Sequence, residues 1–296
     1  MMQRFFAALT LFMLSGAALA ISPYLYGDKV SGENIQAVAS AVEGKLKCAG
    51  FKVIGRYFPR KLPGYGVVIA TDEKILAEIG DLGENTILGA GLRVGIKSDG
   101  TVSYMNPNYW YRAYFRGHFA NAESSVKALQ ARLSGALGDG GGFGGDESAK
   151  SLANYRYMVG MERLESGKSK LAGYDSYGEA VKTVRDNLAR GLGKTSKVYE
   201  VSMPDKKIAV FGVAMNDEEQ GDGLWIKKIG MEESIAGLPY EIYVVNGEVH
   251  SPHGRFRIAL AFPDVGMGQF MRISSLPNDI QEIMAALAGV VHNTTP

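Results

Sequence analysis

Apolar and polar residues form two kinds of pattern along the first part of the chain, one with helical spacing and one typical of short strands. Residues 34–49 carry apolar side chains at helical spacing, with Ser31 before them and Gly50 after them, and are predicted to form a helix. The turn signal Ser98-Asp99-Gly100 predicts a β-hairpin between two apolar runs. The remaining predicted elements are strands at 24–30, 51–58, 64–70, 92–97 and 101–105, and helices at 73–79, from 108 and at 123–137.

The second part of the chain repeats this order. Asn246-Gly247 is a strong hairpin turn, and the residues around Trp225 are predicted to form a loop. The predicted strands lie at 155–164, 197–203, 208–215, 240–245 and 248–251, and the predicted helices at 177–192, 254–262 and 277–287. Both parts are assigned the order β-α-β-β-α-β-β-α, which favours a largely antiparallel sheet covered by helices.

A direct match between two segments indicates a duplication. Residues 100–115 align without a gap with residues 247–262, at an offset of 147 positions. The match pairs Gly100 with Gly247 in the turn and Phe115 with Phe262 at the end. A repeat of this length predicts an α+β fold of two tandem two-layer domains, each built on a five-stranded sheet. The predicted domains span residues 21–137 and 151–296.

A glycine-rich segment at 138–150 separates the two predicted domains. Six of the eleven residues from 138 to 148 are glycine, and this density predicts a flexible linker. The alternative is a glycine loop that holds phosphate. The segment lacks the Lys-Ser/Thr ending of a P-loop, however, and it follows a predicted helix instead of a strand.

Residues 1–20 have the three parts of a secretory signal peptide. Arg4 supplies the positive charge, residues 5–14 form an apolar run too short to span a bilayer, and Ala18-Leu19-Ala20 is a small-residue cleavage site. We therefore expect cleavage before Ile21 and a secreted, periplasmic product, with a membrane anchor as the alternative. No later apolar run is long enough to suggest a membrane span.

Charge and cysteine content exclude several classes of protein. Without Arg4, basic and acidic residues are equal in number and form no basic stripe, so a nucleic-acid partner is not expected. Cys48 is the only cysteine, which excludes an internal disulfide, a Cys-x-x-Cys-His haem attachment and zinc sites of several thiolates. Cys48 is expected to pack within its predicted helix, with an intermolecular disulfide as the alternative.

Three features of the first part occur together: the helix end at Gly50-Phe51, the strand–helix unit at 64–80 and the hairpin that leads into Asn-Pro-x-Tyr at 106–109. In these features, and over most of its length, the chain resembles the bacterial domain-of-unknown-function family 302. The second copy is similar to a divergent member, because His253-Gly254 stands where the first copy has Asn-Pro. The resemblance implies a compact two-layer domain, and it implies no activity.

Five aromatic residues fall within seven positions of the helix that follows Asn106. Such a cluster can line a groove for an apolar ligand or anchor a partner chain, and an arginine beside it can hold an anion. The alternative is a structural cluster that packs on the sheet and seals the contact between the two domains, where a pocket would then be expected. The candidate ligand-binding residues are Asn106, Tyr109, Trp110, Arg112, Tyr114, Arg255 and Arg257.

A second candidate site lies in the second domain. His250 and His253 are three positions apart, and Met267 and Met271 follow them. Imidazole and thioether ligands together suit Cu(I), because the thioether is soft. These residues support an alternative function, the periplasmic handling of copper or haem. The competing interpretation is a polar turn followed by methionines that fill the core.

No catalytic signature is present in the sequence, and a non-enzyme is favoured. There is no G-x-S-x-G elbow, and the acidic run at 216–222 lacks the spacing of a calcium loop and is predicted to be solvated. The favoured function is binding of a small apolar or anionic ligand, or of a periplasmic protein partner. The sequence defines no cofactor.

Overall fold

The structure is a computed structural model that describes residues 20–290. The predicted signal peptide therefore lies outside the described residues, except for Ala20. The strands are β1 (Ala20–Ile21), β2 (Tyr24–Tyr26), β3 (Lys52–Tyr57), β4 (Tyr65–Thr71), β5 (Leu92–Lys97), β6 (Val102–Met105), β7 (Gly142–Phe143), β8 (Glu147–Ser148), β9 (Lys170–Gly173), β10 (Thr195–Met203), β11 (Ile208–Met215), β12 (Tyr240–Val245) and β13 (Glu248–His250).

Several helices begin at a residue whose side chain accepts hydrogen bonds from the free backbone N–H groups of the first turn. Asn34 accepts hydrogen bonds from the first turn of α1, Asp72 from α2 and Ser176 from α6. No helix within residues 20–290 combines the length and the apolar character needed to cross a bilayer. The α-helices are α1 (Ile35–Cys48), α2 (Glu73–Leu82), α3 (Pro107–Phe115), α4 (Phe119–Leu137), α5 (Ala149–Ala153), α6 (Tyr177–Ala189), α7 (Asp222–Ile229), α8 (Gly254–Ala261), α9 (Met267–Phe270) and α10 (Leu276–Leu287).

Two large sheets organise the molecule. The first has the strand order β3-β4-β5-β6-β2-β7, the second has the order β10-β11-β12-β13-β9, and β1 pairs separately with β8. Every strand pairing within the described residues is antiparallel. The predicted combination of antiparallel sheets and helices is therefore confirmed.

The two halves of the chain have the same order of strands and helices. In the first half (residues 20–137) the elements run β2-α1-β3-β4-α2-β5-β6-α3, and in the second half (residues 151–290) they run β9-α6-β10-β11-α7-β12-β13-α8. The five strands of each path also take the same order in their sheet. The first sheet differs in one respect, because β7 adds to the free edge of β2 as a sixth strand.

Each half covers the sheet of the other half. The 3-10 segment Glu84–Ala90 of the first half packs on β11 and β12, and the segment Glu232–Gly237 of the second half packs on β4, β5 and β6. Side chains alternate between the two faces of a strand, and the face of β5 that carries Arg93 and Gly95 is turned towards the second half. Helix α1 also packs on β3, β4 and β5 of this sheet. The two halves therefore share a buried centre.

Two segments of the second half differ from the prediction. Residues 154–166 contain no strand, and the first strand of the sheet is β9 instead. The aromatic and apolar residues of this segment have the pattern of a strand, but residues 156–160 are exposed and pair with no strand of the described residues. Trp225 lies in α7 and not in a loop, since Asp222 at the start of that helix is buried and bonded to the indole.

The glycine segment and Cys48 also require correction. Gly142–Phe143 pairs with β2, and the Phe143 ring stacks on Tyr26 with centroids 4.1 Å apart. The glycines allow this packing because four of them, at 138, 141, 144 and 145, have positive φ, which other residues rarely adopt. Cys48 is exposed instead of packed, because it lies on the outer side of the last turn of α1.

Candidate functional site

The aromatic helix predicted as a ligand site is α3, and most of it lies inside the protein. The Asn106 side chain caps the helix and donates to the Ser22 carbonyl at 2.8 Å, and Trp110 Nε1 donates to the Pro23 carbonyl at 2.9 Å. The Tyr109 hydroxyl donates to the Leu260 carbonyl of the second half at 2.9 Å. Asn106 and Trp110 therefore fix α3 within the first half, and Tyr109 bonds it to the second half, as in the structural alternative. Two clefts do lie between the halves, one of them about 500 Å³ in volume, but neither is lined by α3.

A buried charge cluster forms the centre of the contact between the halves. Arg93 Nη1 lies 2.7 Å from Glu241 Oε1, and Arg257 Nε lies 2.7 Å from Glu241 Oε2. Trp110 lies against both guanidinium groups, with its ring centroid 4.2 Å from Arg93 Cζ and 5.0 Å from Arg257 Cζ. Burial opposes the charged form of Arg257, but Glu241 keeps its pKa above the ordinary value. The cluster is thus an ion network within the core.

The sequence predicts Arg257 and Trp110 as ligand-binding residues, but it does not predict that Arg93 and Glu241 belong to the same cluster. Arg93 and Glu241 each lie in a predicted strand whose neighbouring residues are mostly apolar. A charged residue inside such an apolar run is the one sequence feature that could have indicated a buried ion pair. Tyr114 is buried beside this cluster, and its hydroxyl has no hydrogen-bond partner within the described residues. Asn106, Tyr109, Trp110, Tyr114 and Arg257 all have less than a tenth of their surface exposed.

Tyrosine hydroxyls also hold the carboxyl-terminal end of α8. Tyr155 donates to the Ala259 carbonyl, and Tyr24 donates to the Ala261 carbonyl at 2.7 Å. Together with Tyr109, they satisfy carbonyl groups that the end of a helix leaves free. Because Tyr24 and Tyr109 come from the first half, the position of α8 depends on the contact between the halves.

A cavity of about 350 Å³ opens beside α8 in the second half. One wall is the irregular segment 154–166, and the other is α8 together with α9 and the turns around it. Both walls are almost wholly apolar, apart from one carboxylate and one guanidinium. We call this cavity the methionine pocket; its lining is Tyr157, Met158, Met161, Glu162, Arg255, Phe256, Ile258, Ala259, Phe262, Val265, Met267, Phe270, Met271 and Ser274.

The exposed apolar residues of the protein gather at this pocket. The large apolar side chains with high exposure in the described residues are Tyr157, Met158, Val159, Met267 and Met271. Four of these line the pocket, and Val159 adjoins them in sequence. Isolated apolar side chains on a surface need no explanation, but a concentration around one cavity is typical of a binding site.

Two charged side chains stand in the pocket wall. Only 8% of the Glu162 side chain is exposed, and its Oε1 accepts a hydrogen bond from Lys168 Nζ at 2.9 Å. Burial raises the pKa of Glu162, but the hydrogen bonds from Lys168 and from a backbone N–H, with the nearby positive charge, together leave that pKa below its ordinary value. Arg255 is 42% exposed, and its Nη1 lies 3.8 Å from Glu162 Oε1, beyond hydrogen-bond distance.

His253 joins these charges to the helix. Its Nδ1 accepts a hydrogen bond from the Arg255 backbone N–H, which caps α8. The same nitrogen lies 3.8 Å from Glu162 Oε2, and that oxygen has no hydrogen-bond partner within the described residues. Burial lowers the pKa of His253, so its imidazole is neutral at pH 7. A neutral Nδ1 acceptor cannot donate to the carboxylate, which explains the unpartnered oxygen.

The four residues predicted to hold copper lie in different surroundings. Met267 and Met271 line the methionine pocket, whereas His250 lies in another cleft, stacked on Tyr243 and 3.3 Å from Glu248. The Nδ1 of His253 is occupied by its capping bond. No cluster of three or more His, Cys, Asp or Glu suited to a metal ion occurs in residues 20–290.

Asp222 is a buried acid, although it belongs to the acidic run at 216–222 that is predicted to be solvated. Its carboxylate accepts hydrogen bonds from the Tyr57 hydroxyl at 2.6 Å, from Trp225 Nε1 at 3.0 Å and from the Met215 N–H at 2.9 Å. Burial raises its pKa to about 6, despite these bonds. Since Tyr57 belongs to the first half, the Tyr57–Asp222 bond is a further buried polar contact between the halves.

No family model matches the chain, and no curated protein or solved structure matches it either. The resemblance to family 302 therefore stays a prediction. Function has to be argued from the site itself, because a fold alone does not specify an activity.

Proposed function

We propose that this protein is a secreted binding protein that holds a small apolar ligand in the methionine pocket. The observation that carries the proposal is the concentration of exposed apolar side chains around one cavity. The volume of about 350 Å³ lies within the range of small-molecule sites. Methionine side chains suit such a role, because they are flexible and adapt to the shape of a ligand.

The candidate residues have two different roles in this function, contact with the ligand and stabilisation of the fold. Arg255, Met267 and Met271 contact the ligand, whereas Trp110 and Arg257 hold the two halves together. Arg112 is also structural, since its Nε donates to Asn108 Oδ1 at 2.9 Å and its guanidinium lies over the Phe119 ring. Binding rather than chemistry is favoured, because the polar groups of the pocket are a salt-bridged acid, a capping histidine and one arginine.

We further propose that the two halves are copies of one domain, docked as a pseudo-dimer. At a two-fold interface, residues near the axis contact their own equivalents. Arg93 and Glu241 are each the second residue of equivalent strands, and they form an ion pair. Trp110 and Arg257 are equivalent in the gapless alignment, and they stack. The reciprocal covering of the two sheets adds a third line of support.

Secretion is proposed from the first twenty residues of the sequence. Expression of the full chain in a bacterium, followed by intact-mass analysis of the periplasmic fraction, tests it. The expected mass is that of a chain that starts at Ile21. Retention of Met1 on secreted material would contradict the signal-peptide assignment.

Tryptophan fluorescence can test ligand binding directly. Trp225 makes an edge contact with Phe262, with centroids 5.5 Å apart, and Phe262 lines the pocket. Titration with 1-octanol, a neutral apolar probe, should therefore change the emission of Trp225 and saturate. The Trp225→Phe variant should lose this signal, while Trp110 continues to report on the fold.

A blocking variant locates the binding. Ala259→Phe places a ring in the pocket and should weaken 1-octanol binding at least tenfold, because the ligand and the ring compete for one volume. Ala131→Phe adds the same ring to an exposed position of α4 and should have no effect. Equal affinity of Ala259→Phe and the unchanged protein would reject the methionine pocket as the site.

A further inference from the structure

We propose that the ligand of the methionine pocket is an amphiphile with a carboxylate head, bound with its head at Arg255 and its chain along α8. This inference rests on the proposed function and adds the chemical class of the ligand. It follows from the hydrogen bonding of Arg255, from the charge balance of the pocket and from the direction of α8.

The Arg255 guanidinium is a donor without an acceptor. Within the described residues it makes no hydrogen bond, and its nearest carboxylate oxygen is Glu162 Oε1 at 3.8 Å. The side chain stands in the pocket wall and is 42% exposed, so a ligand can reach it. A guanidinium presents paired N–H groups whose geometry matches a carboxylate.

The charge balance of the pocket favours an anion. The negative charge of Glu162 is already matched by Lys168, whose Nζ lies 2.9 Å from Oε1. His253 is neutral, because burial lowers its pKa. Arg255 therefore leaves one positive charge unmatched, and it stands at the N-terminal end of α8, where the helix dipole also favours negative charge.

The unpartnered oxygen Oε2 of Glu162 raises the opposite possibility, a cationic head. That oxygen has almost no surface open to solvent, and a cation near it would meet Lys168 and Arg255. A carboxylate at Arg255 avoids both charges. The two possibilities predict opposite preferences among ligands that share one chain.

The shape of the site fits a chain that runs along the helix. Arg255 lies near the start of α8, and Phe262 follows its end, a separation of about 10 Å at the rise of an α-helix. The side chains between them on the pocket face are Phe256, Ile258 and Ala259. Beyond Phe262, Val265 and Phe270 continue the apolar wall. A medium-length alkyl chain matches this span.

Isothermal titration calorimetry of the full mature protein with octanoate, 1-octanol and octylamine tests the head group. Octanoate should bind at least tenfold more tightly than either of the others, because only the carboxylate pairs with Arg255. Decanoate should bind more tightly than octanoate, by about fourfold for each added methylene that is buried. Equal affinities for the three heads, or the tightest binding by octylamine, would overturn the carboxylate assignment.

A matched pair of variants assigns the effect to Arg255. Arg255→Gln should weaken octanoate at least tenfold and leave 1-octanol unchanged. Arg272→Gln makes the same charge change at an exposed arginine outside the pocket and should alter neither. If Arg255→Gln leaves octanoate unchanged while Ala259→Phe weakens all probes, the carboxylate assignment fails and the apolar site stands. If no probe binds the unchanged protein, both proposals fail.

Discussion

Helices α3 and α8 occupy equivalent places in the two halves, yet one is sealed and the other borders a pocket. In the gapless alignment Arg112 of α3 corresponds to Ala259 of α8. Arg112 lies over the Phe119 ring at 4.0 Å and bonds to Asn108, so the surface of α3 is filled. At Ala259 there is only a methyl group, and the methionine pocket opens there. A difference at one position thus accompanies a filled surface in one half and an open pocket in the other.

The two groups of charged residues in the molecule show the same contrast. Arg93, Glu241 and Arg257 are buried, and both arginines bond to Glu241, so these charges are paired within the fold. Arg255 is partly exposed and bonded to no acceptor within the described residues. The first group is expected to govern stability, and Arg255 is expected to govern ligand affinity.

The largest effect is expected from Glu241→Gln. This change leaves two buried guanidinium groups with no carboxylate, and it should lower the free energy of unfolding by about 3–5 kcal/mol. Urea denaturation measures the change. Glu233→Gln is the matched control, because Glu233 also pairs across the halves, with Lys97, but lies on the surface. A small effect that is equal in both variants would show that the buried cluster does not hold the halves together.

The next effect concerns the pH dependence that Asp222 creates. Its pKa is raised from about 3.8 to about 6 on folding, so between these pH values the folded state holds a proton that the unfolded state has released. The contribution of Asp222 to stability should therefore fall by about 2 kcal/mol as pH rises from 4 to 7.

Comparison with Asp222→Asn isolates this contribution, because asparagine does not titrate. The stability advantage of the unchanged protein over the variant should be greatest at pH 4 and should shrink towards pH 7. Urea denaturation of both proteins at the two pH values gives the difference. An advantage that does not vary with pH would contradict a raised pKa at this position.

Gly55 offers a smaller test of the contact between the halves. A Cβ at this position would lie 2.5 Å from the Val198 carbonyl oxygen of the second half, and backbone atoms would have to move. Gly55→Ala should therefore lower the free energy of unfolding by about 2 kcal/mol. Gly44→Ala is the control, since nothing lies within 4 Å of a Cβ there and alanine should stabilise α1 slightly. Equal behaviour of the two variants in thermal unfolding would contradict the close approach of β3 and β10.

The smallest effect is expected from Arg112→Ala, which gives α3 the residue found in α8. The loss of the Phe119 contact should cost about 1 kcal/mol and uncover apolar surface on the first half. Lys127→Ala, on the exposed face of α4, serves as the control and should change little. Urea denaturation measures the loss of stability, and fluorescence titration with 1-octanol tests whether the uncovered apolar surface binds the probe. A variant that loses no stability would show that Arg112 does not fill this surface.

Local signals allowed much of the fold to be predicted. The hairpins at Gly100 and at Asn246-Gly247, and the starts of α3 and α8, depend on turn and capping residues that act over a few positions. The gapless match also anticipated that the strand–helix order occurs in both halves. These features needed no knowledge of distant contacts.

The features that could not be predicted depend on residues far apart in the chain. Asp222 lies in an acidic run, and its burial follows from Tyr57, which is 165 positions away. The glycine segment packs because β2 has an edge for it. The methionine pocket needs segment 154–166 to lie against α8, and nothing in either segment alone indicates this. Only Arg255, Met267 and Met271 of the candidate residues proved to line the pocket.

A crystal structure of the protein with octanoate would test the central claim most directly. We predict density for one octanoate molecule beside α8, with its carboxylate at Arg255 and its chain between Ala259 and the methionines. The equivalent surface of α3 should remain filled by Arg112. Octanoate bound elsewhere, or a methionine pocket without the ligand at saturating concentration, would contradict the assignment of the second half as the binding half.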